Sequence, residues 1–261
     1  MKINKVTAVV FSPTAGTKKY VVAVGTELGM PWRMIDLTQP ENRKRELVFG
    51  SDDLVIFGAP VYYGRLPKVD GGLFANVRGN NTPAIFNVSY GNRDYDDALL
   101  EEKEILEAGG FKGIAAAAWV APHSFSEKIA AGRPDEDDKE AVSRFGQTVK
   151  ELLAKDTIGP LRVPGNRPYH DFQPLTLYPT GNDNCVDCRT CVSLCPTDAI
   201  DDSEPTKTEA NKCILCMACV RQCPWEARNV WSEDFTAIAG KLESALLIAR
   251  KEPEVFFAGA N

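Results

Sequence analysis

Lys5-Val-Thr-Ala-Val-Val-Phe11-Ser-Pro-Thr-Ala-Gly-Thr17 sets a short apolar run directly against a hydroxyl-rich turn. A helix is expected to follow over residues 18–28. Strand, hydroxyl-rich turn and helix start together make an anion-binding arrangement, because the first amides of a helix lack intrahelical partners and point into the turn. The turn carries no Lys, and the chain has no G-x4-G-K-[ST] pattern, which excludes a nucleoside-triphosphatase loop. A polar helix cap is the plain alternative. Outward from this stretch, residues 33–37, 53–58, 83–88 and 114–121 read as further short apolar strands. Helical patterns lie between and after them, at 94–108 and at 136–153, the latter with Val142, Phe145, Val149 and Leu152 on one face. Strands alternating with helices predict an α/β fold, a doubly wound parallel sheet of five strands. Ligands on such sheets bind at the carboxyl ends of the strands. The 12–17 turn, the Tyr62-Tyr63 loop and the Tyr90 loop are all expected at that end.

The chain has 261 residues and a mass of 28.6 kDa. At about 100–200 residues per domain, that is one large domain or two ordinary ones. A hydrophobic share of 44% with 25% charged residues excludes disordered, collagenous and coiled-coil classes. A net charge of -6 and a pI near 5.2 argue against a nucleic-acid partner, which needs clustered Lys and Arg. No apolar run approaches the roughly 18–20 residues of a membrane span. Pro13 and Lys18-Lys19 break the first apolar run too early for a signal peptide, so a cytoplasmic location is expected.

All eight cysteines fall between Cys185 and Cys223. Cys185, Cys188, Cys191 and Cys195 spell C-x2-C-x2-C-x3-C, followed by Pro196. Cys213, Cys216, Cys219 and Cys223 repeat the pattern, followed by Pro224. Each cysteine recurs after 28 residues (213−185, 216−188, 219−191, 223−195), as do Val192 in Val220 and Ala199 in Ala227. A disulfide framework spreads over a secreted fold, and structural zinc takes two separated pairs of ligands; neither has this shape. The run is the signature of bacterial two-cluster ferredoxins, in which the fourth cysteine of each run ligates the other cluster. That implies one [4Fe-4S] cluster on Cys185, Cys188, Cys191 and Cys223, and a second on Cys213, Cys216, Cys219 and Cys195. So small a module has little core of its own, and the clusters would hold it folded as well as carry electrons.

The first two-thirds of the chain resembles the flavodoxin fold. Phe11-Ser-Pro-Thr-Ala-Gly-Thr17 is similar to its FMN phosphate loop, Phe57-Gly-Ala-Pro-Val-Tyr-Tyr-Gly-Arg65-Leu-Pro67 to its first isoalloxazine loop, and Tyr90-Gly-Asn-Arg-Asp-Tyr-Asp-Asp97 to its second. With the cysteine repeat, nearly the whole chain resembles the ferredoxin–flavodoxin fusion electron-transfer proteins. The resemblance implies FMN, with its phosphate on Ser12, Thr14, Ala15, Gly16 and Thr17. One ring edge would lie against Pro60, Val61, Tyr62, Tyr63 and Gly64, and the other against Ser89, Tyr90, Gly91 and Asn92. One departure is Ala15, which stands where the family has Gly and restricts the backbone. Strand-end packing is the plain alternative for the tyrosines, an interface role for His123 and a surface ion pair for Arg65.

Domain boundaries are expected at 1–158 for the flavodoxin-like part and 181–231 for the ferredoxin-like part, a small α+β unit. Residues 159–180 form a linker between them, and 232–261 a helix and tail packing back on the sheet. Five prolines between 159 and 181 predict an extended, semi-rigid segment. Asp183, Asp187, Asp198, Asp201, Asp202 and Glu204, against Arg189, offer either an acidic docking face for a basic redox partner or a solvated surface. Phe235, Ile238, Leu242, Ala245, Leu246 and Ala249 follow helical spacing, with Ser232 as a candidate cap. Three functions are compatible with this reading. The chain is an electron carrier relaying between clusters and FMN; or an FMN-dependent reductase whose small-molecule substrate lies near Tyr62, Tyr90 and His123; or a ferredoxin whose flavin-free flavodoxin-like part serves as a docking scaffold.

Overall fold

The computed structural model describes residues 1–155, 157–171 and 173–260. In chain order the elements are β1 Lys5–Val10, α1 Gly16–Glu27, β2 Trp32–Asp36, α2 Pro40–Arg43, β3 Leu47–Phe49, β4 Asp53–Pro60, β5 Val77–Gly79, β6 Thr82–Tyr90, α3 Ala98–Ala108, β7 Phe111–Val120, α4 Glu136–Leu153, β8 Thr180–Gly181, α5 Thr190–Leu194, α6 Ala218–Arg221, β9 Arg228–Asn229, α7 Glu233–Leu246 and β10 Glu254–Phe257. The main sheet runs β10-β7-β6-β4-β1-β2. Its five strands from β2 to β7 pair in parallel, the doubly wound flavodoxin-like order. These are the five strands the sequence predicts. The sixth, β10, follows the cysteine segment and pairs antiparallel with β7, Phe256 opposite Ala116.

The central strands are apolar on both faces because helices cover both. Every residue of β6 is buried. On one face α1 and α4 enclose Tyr20, Val24, Trp119, Phe145 and Val149. Trp119 stacks on Tyr20 at 5.1 Å and meets Phe145 edge-on at 5.6 Å. Its indole N–H is satisfied by Asn87 Oδ1 at 2.9 Å, while Asn87 Nδ2 donates to the Phe57 carbonyl, so both ends of the one amide side chain in β6 are hydrogen-bonded. The other face packs Phe57, Phe86, Leu99, Leu106 and Phe111 beneath α3 and the short β3–β5 pair. Gly58 lets α1 press onto β4, since a Cβ there would lie 2.4 Å from Val21.

Two expected boundaries shift. The helix expected from residue 94 begins at Ala98, because Asp96 adopts a left-handed φ of 41° and Asp97 is the N-cap. The described residues of the proline-rich stretch, of which residue 172 is not one, form no helix or strand before Thr180, and part of the stretch is laid against the sheet domain. Leu161 enters the core, Asn166 N and His170 N donate to the buried Asp97 carboxylate at 2.6 and 2.7 Å, and the Arg65 guanidinium covers the Tyr169 ring.

Candidate functional site

The 28-residue repeat is also a repeat of backbone shape. Asp187, Arg189 and Asp198 have φ of 56°, 57° and 50°; Leu215, Met217 and Glu226, each 28 residues on, have 52°, 63° and 49°. Left-handed residues between cysteines fold each run back, so that successive sulfurs face one space. The short helices α5 and α6 start at equivalent positions, and Cys195 N to the Val192 carbonyl is echoed by Cys223 N to that of Val220. Ala199 N donates to Cys195 Sγ at 3.2 Å and Ala227 N to Cys223 Sγ at 3.3 Å, so both fourth cysteines accept an amide bond.

Two small cavities result. One is lined by Cys213, Cys216 and Cys219 of the second run and by Cys195 of the first. The other is lined by Cys185, Cys188 and Cys191 of the first run and by Cys223 of the second. These are the crossed sets that the sequence resemblance implies. All eight thiols are free of disulfides. Among the described residues no three His, Cys, Asp or Glu converge on a single-ion site. Burial pushes the Cys213 and Cys216 thiols up and Cys219 up to about 11. Thiolates in so dry a place need positive charge beside them, which iron supplies; the donor set fits the cluster.

At the carboxyl end of the sheet, the 12–17 loop opens at the start of α1. Ala15 takes φ 63° and ψ 0°, the conformation glycine favours, at a cost of about 1–2 kcal/mol for a residue with a Cβ. The expected restriction is therefore met by a strained alanine. Ser12 Oγ accepts from Lys18 N at 3.1 Å, and Ser12 N donates to Thr38 Oγ1. The amides of Thr14, Gly16 and Thr17 have no acceptor among the described residues. They form a cradle that a phosphate fits. Thr17 offers its amide to this cradle, while its hydroxyl is buried and pairs with Ser89 Oγ at 2.7 Å, tying β6 to α1.

The two loops expected to flank a ring lie against each other. Tyr62 and Arg65 close a tight turn through Tyr63 (φ 55°) and Gly64 (φ 79°). A Cβ at Gly64 would collide with Asp96, and the Gly64 carbonyl accepts from Asp97 N. Val61 N donates to the Ser89 carbonyl, and Pro60 pairs with Ser89 in the sheet. Tyr90 points down into the core, 3% exposed, against Tyr95 at 5.5 Å. Strand alternation turns it away from the loop cleft; the packing alternative holds for this tyrosine. Asn92 is engaged elsewhere as well. Its Nδ2 donates to the Leu246 and Ala249 carbonyls and its Oδ1 accepts from Lys251 N, clamping the segment after α7. Gly91 lies under His123, where a Cβ would meet the ring at 2.4 Å. Arg65 forms a two-pronged pair with Glu101 at 2.8 Å, the ion-pair alternative.

The cysteine segment sits on this same end of the sheet. Tyr62 and Tyr63 line one cavity together with Cys213, Ile214 and Leu215. Arg43 donates to the Pro196 carbonyl, and Arg221 to that of His123. Leu215, Met217, Val230 and Phe235 form a satellite core with Phe125 and Leu175. Ser232 is the N-cap residue of α7 but its side chain makes no cap bond; Glu243 of that helix instead binds Ser126 and Lys128. Sequence reasoning missed Arg43, Arg221 and the clamp at Asn92, since long-range side-chain-to-carbonyl bonds leave no local pattern.

Residues 180–233 match the 4Fe-4S dicluster domain family. The chain is similar to a flavodoxin from the domain Archaea (14% identity, covering 58% of this chain and 100% of that one, TM-score 0.41). It is also similar to the flavodoxin of Streptococcus pneumonia TIGR4 (17%, 58% and 99%, 0.40) and to Flavodoxin 2 from Bacillus cereus (15%, 57% and 99%, 0.40). A comparison with curated proteins gives no match. The chain joins a sheet of flavodoxin-like strand order to a segment that matches the 4Fe-4S dicluster domain family. Among the described residues no helix is long and apolar enough to cross a membrane.

Proposed function

We propose that this chain relays electrons between two [4Fe-4S] clusters and one FMN held in a single molecule. The observation that carries the reading is the position of Tyr62 and Tyr63, which border the expected flavin edge and line one cavity together with Cys213. When bound, clusters exchange single electrons and FMN takes up one or two. The protein's own part is placement. Ser12, Thr14 and the free amides of the 12–17 loop would hold the phosphate, and Tyr62, Tyr63 and Gly91 would border the ring. The Cys195, Cys213, Cys216 and Cys219 set would hold the cluster nearer the flavin. The other set lies on the outer side, where Cys188 is exposed and Val186 and Trp225 are each more than half exposed. A redox protein with a basic face would meet the carboxylates around Asp183 and Asp187 there, in a reducing, cytoplasmic setting.

A second reading, reduction of a small molecule, has one observation in its favour. A cavity of about 1160 Å³ lies between Arg43, Lys44, Tyr62, Tyr63 and Cys213. Turnover of a candidate anionic substrate by the reduced protein alone would favour it; turnover only with a second redox protein would favour the carrier. The primary test is composition. Protein purified without oxygen is expected to hold about eight iron atoms and one FMN per chain. About four iron atoms with every cysteine intact, or no flavin after loading with FMN, would overturn the relay.

A further inference from the structure

Among the positions at which the repeat-related linings of the two cavities differ, one exchanges an aliphatic side chain for a buried arginine. Ile200 lines the Cys195–Cys219 cavity; 28 residues on, Arg228 lines the Cys185–Cys223 cavity. The flanking pairs, Pro196 with Pro224 and Ala199 with Ala227, are identical, so a cation stands where symmetry calls for an aliphatic side chain. Arg228 is 3% exposed. The ion pairs of this segment join Arg189 to Asp187 and Asp202, Lys207 to Glu204 and Lys212 to Glu209; Arg228 takes part in none among the described residues. It donates instead to neutral acceptors, the Pro179 carbonyl at 3.0 Å, the Pro205 carbonyl and Thr208 Oγ1. Its buried Nε has no partner. A buried guanidinium without a counter-charge is costly unless anionic groups lie nearby. The groups at hand are the thiolate ligands: Arg228 lines the cavity of Cys191 together with its acceptor Pro205, and its other acceptors, Pro179 and Thr208, line the cavity of Cys213 and Cys219.

We propose that Arg228 is the resident counter-cation of both clusters, placed between them so that each accepts its electron more readily than in an apolar setting. This rests on the cluster reading above. A ligated cluster is a net anion and grows more negative by one charge on reduction, with no bond made or broken. A fixed cation therefore stabilises the reduced form and raises the midpoint potential. It also screens one reduced cluster from the other, which favours holding two electrons at once. Arg228 touches no reacting atom; it is a positioning residue acting through the ligand shell.

The test uses the full chain, loaded with iron, sulfide and FMN without oxygen, as wild type and as Arg228→Ile, Arg228→Gln and Arg228→Lys. Iron is counted first, and the clusters are then titrated with dithionite as electron donor, followed by paramagnetic resonance. With about eight iron atoms present, both neutral variants are expected to titrate at lower potential than wild type, with Lys close to wild type. Neutral variants with full iron and wild-type potentials would overturn the proposal. If the neutral variants lose iron while Lys keeps both iron and potential, a cation is what the site requires and the proposal stands. Should Lys lose iron too, hydrogen-bond geometry is the role and the proposal falls. A wild type without clusters would fail the cofactor reading itself, a result visible in the first iron count.

Discussion

Thr14 and Thr17 stand three residues apart in one loop, yet the structure gives their hydroxyls different surroundings. Thr17 is buried against Ser89, whereas Thr14 remains at the open side. Thr14→Ala is expected to weaken FMN about tenfold or more, the loss of one bond to a charged phosphate at roughly 1.5–3 kcal/mol. Flavin fluorescence titration reads this, and iron content should not change. Thr17→Ala is expected to cost about 1–3 kcal/mol of stability, because it strands the Ser89 hydroxyl in the core. Urea denaturation separates that cost from a binding defect. An unchanged flavin affinity in the Thr14 variant would move the phosphate site elsewhere. His123 makes a third residue-scale prediction. Burial, with Arg221 and Arg93 nearby, takes its imidazole from the ordinary 6.5 down to about 4. Its Nδ1 accepts from Phe125 N at 3.0 Å, which fits a neutral ring. The unfolded chain binds the proton first on acidification. The stabilisation is thus complete above about pH 6.5 and is lost as pH falls toward 4, about 3 kcal/mol in all. His123→Asn keeps an acceptor for Phe125 N without titrating. Between pH 7 and 5 its denaturation midpoint should fall less than that of wild type; equal slopes would contradict the depressed value.

At the scale of elements, the crossed lining of the two cavities has a direct consequence. Cys223→Ser is expected to damage the cluster served by Cys185, Cys188 and Cys191, although Cys223 belongs to the other run. Spectroscopic loss confined to the Cys213 set would rule out crossed ligation. The cysteine pattern was legible because spacing alone fixes which sulfurs share a loop. The five parallel strands were legible because each is an apolar run ending at a polar loop. β10 was not: Val255-Phe256-Phe257 is too short to read as a strand, and its pairing with β7 is a long-range fact. Tyr90 was misplaced because a loop motif does not say to which face the last residue of a strand points, whereas the period of β6 does. Asn92 was read as a ring neighbour because its three bonds go to residues 246–251, far along the chain. Arg228 went unremarked because a lone arginine carries no pattern until the repeat is laid over the cavities.

For the whole molecule, the question is whether the cluster unit stays where it is drawn. Arg43 to Pro196, Arg221 to His123, the satellite core around Phe235 and the seating of residues 161–170 all hold it against the carboxyl end of the sheet. A cofactor pair held this way would be at fixed separation, and on the proposed relay intramolecular transfer would replace diffusion. When the clusters are reduced rapidly, the rate of flavin reduction is expected to be independent of protein concentration. Arg43→Ala combined with Arg221→Ala should slow it, with iron and flavin content unchanged. A rate proportional to protein concentration would mean that electrons pass between molecules.

The return of the chain to the sheet at β10 gives the cysteine segment the connectivity of an insertion rather than an appendage. A protease that nicks the proline-rich stretch once would release nothing, because the far side of the segment is still sewn into the sheet through β10; liberating it takes two cuts. During synthesis the order is fixed as well. The β7 edge stays open until the residues carrying all eight thiols have left the ribosome, so metal loading has its first opportunity before the last strand closes the fold.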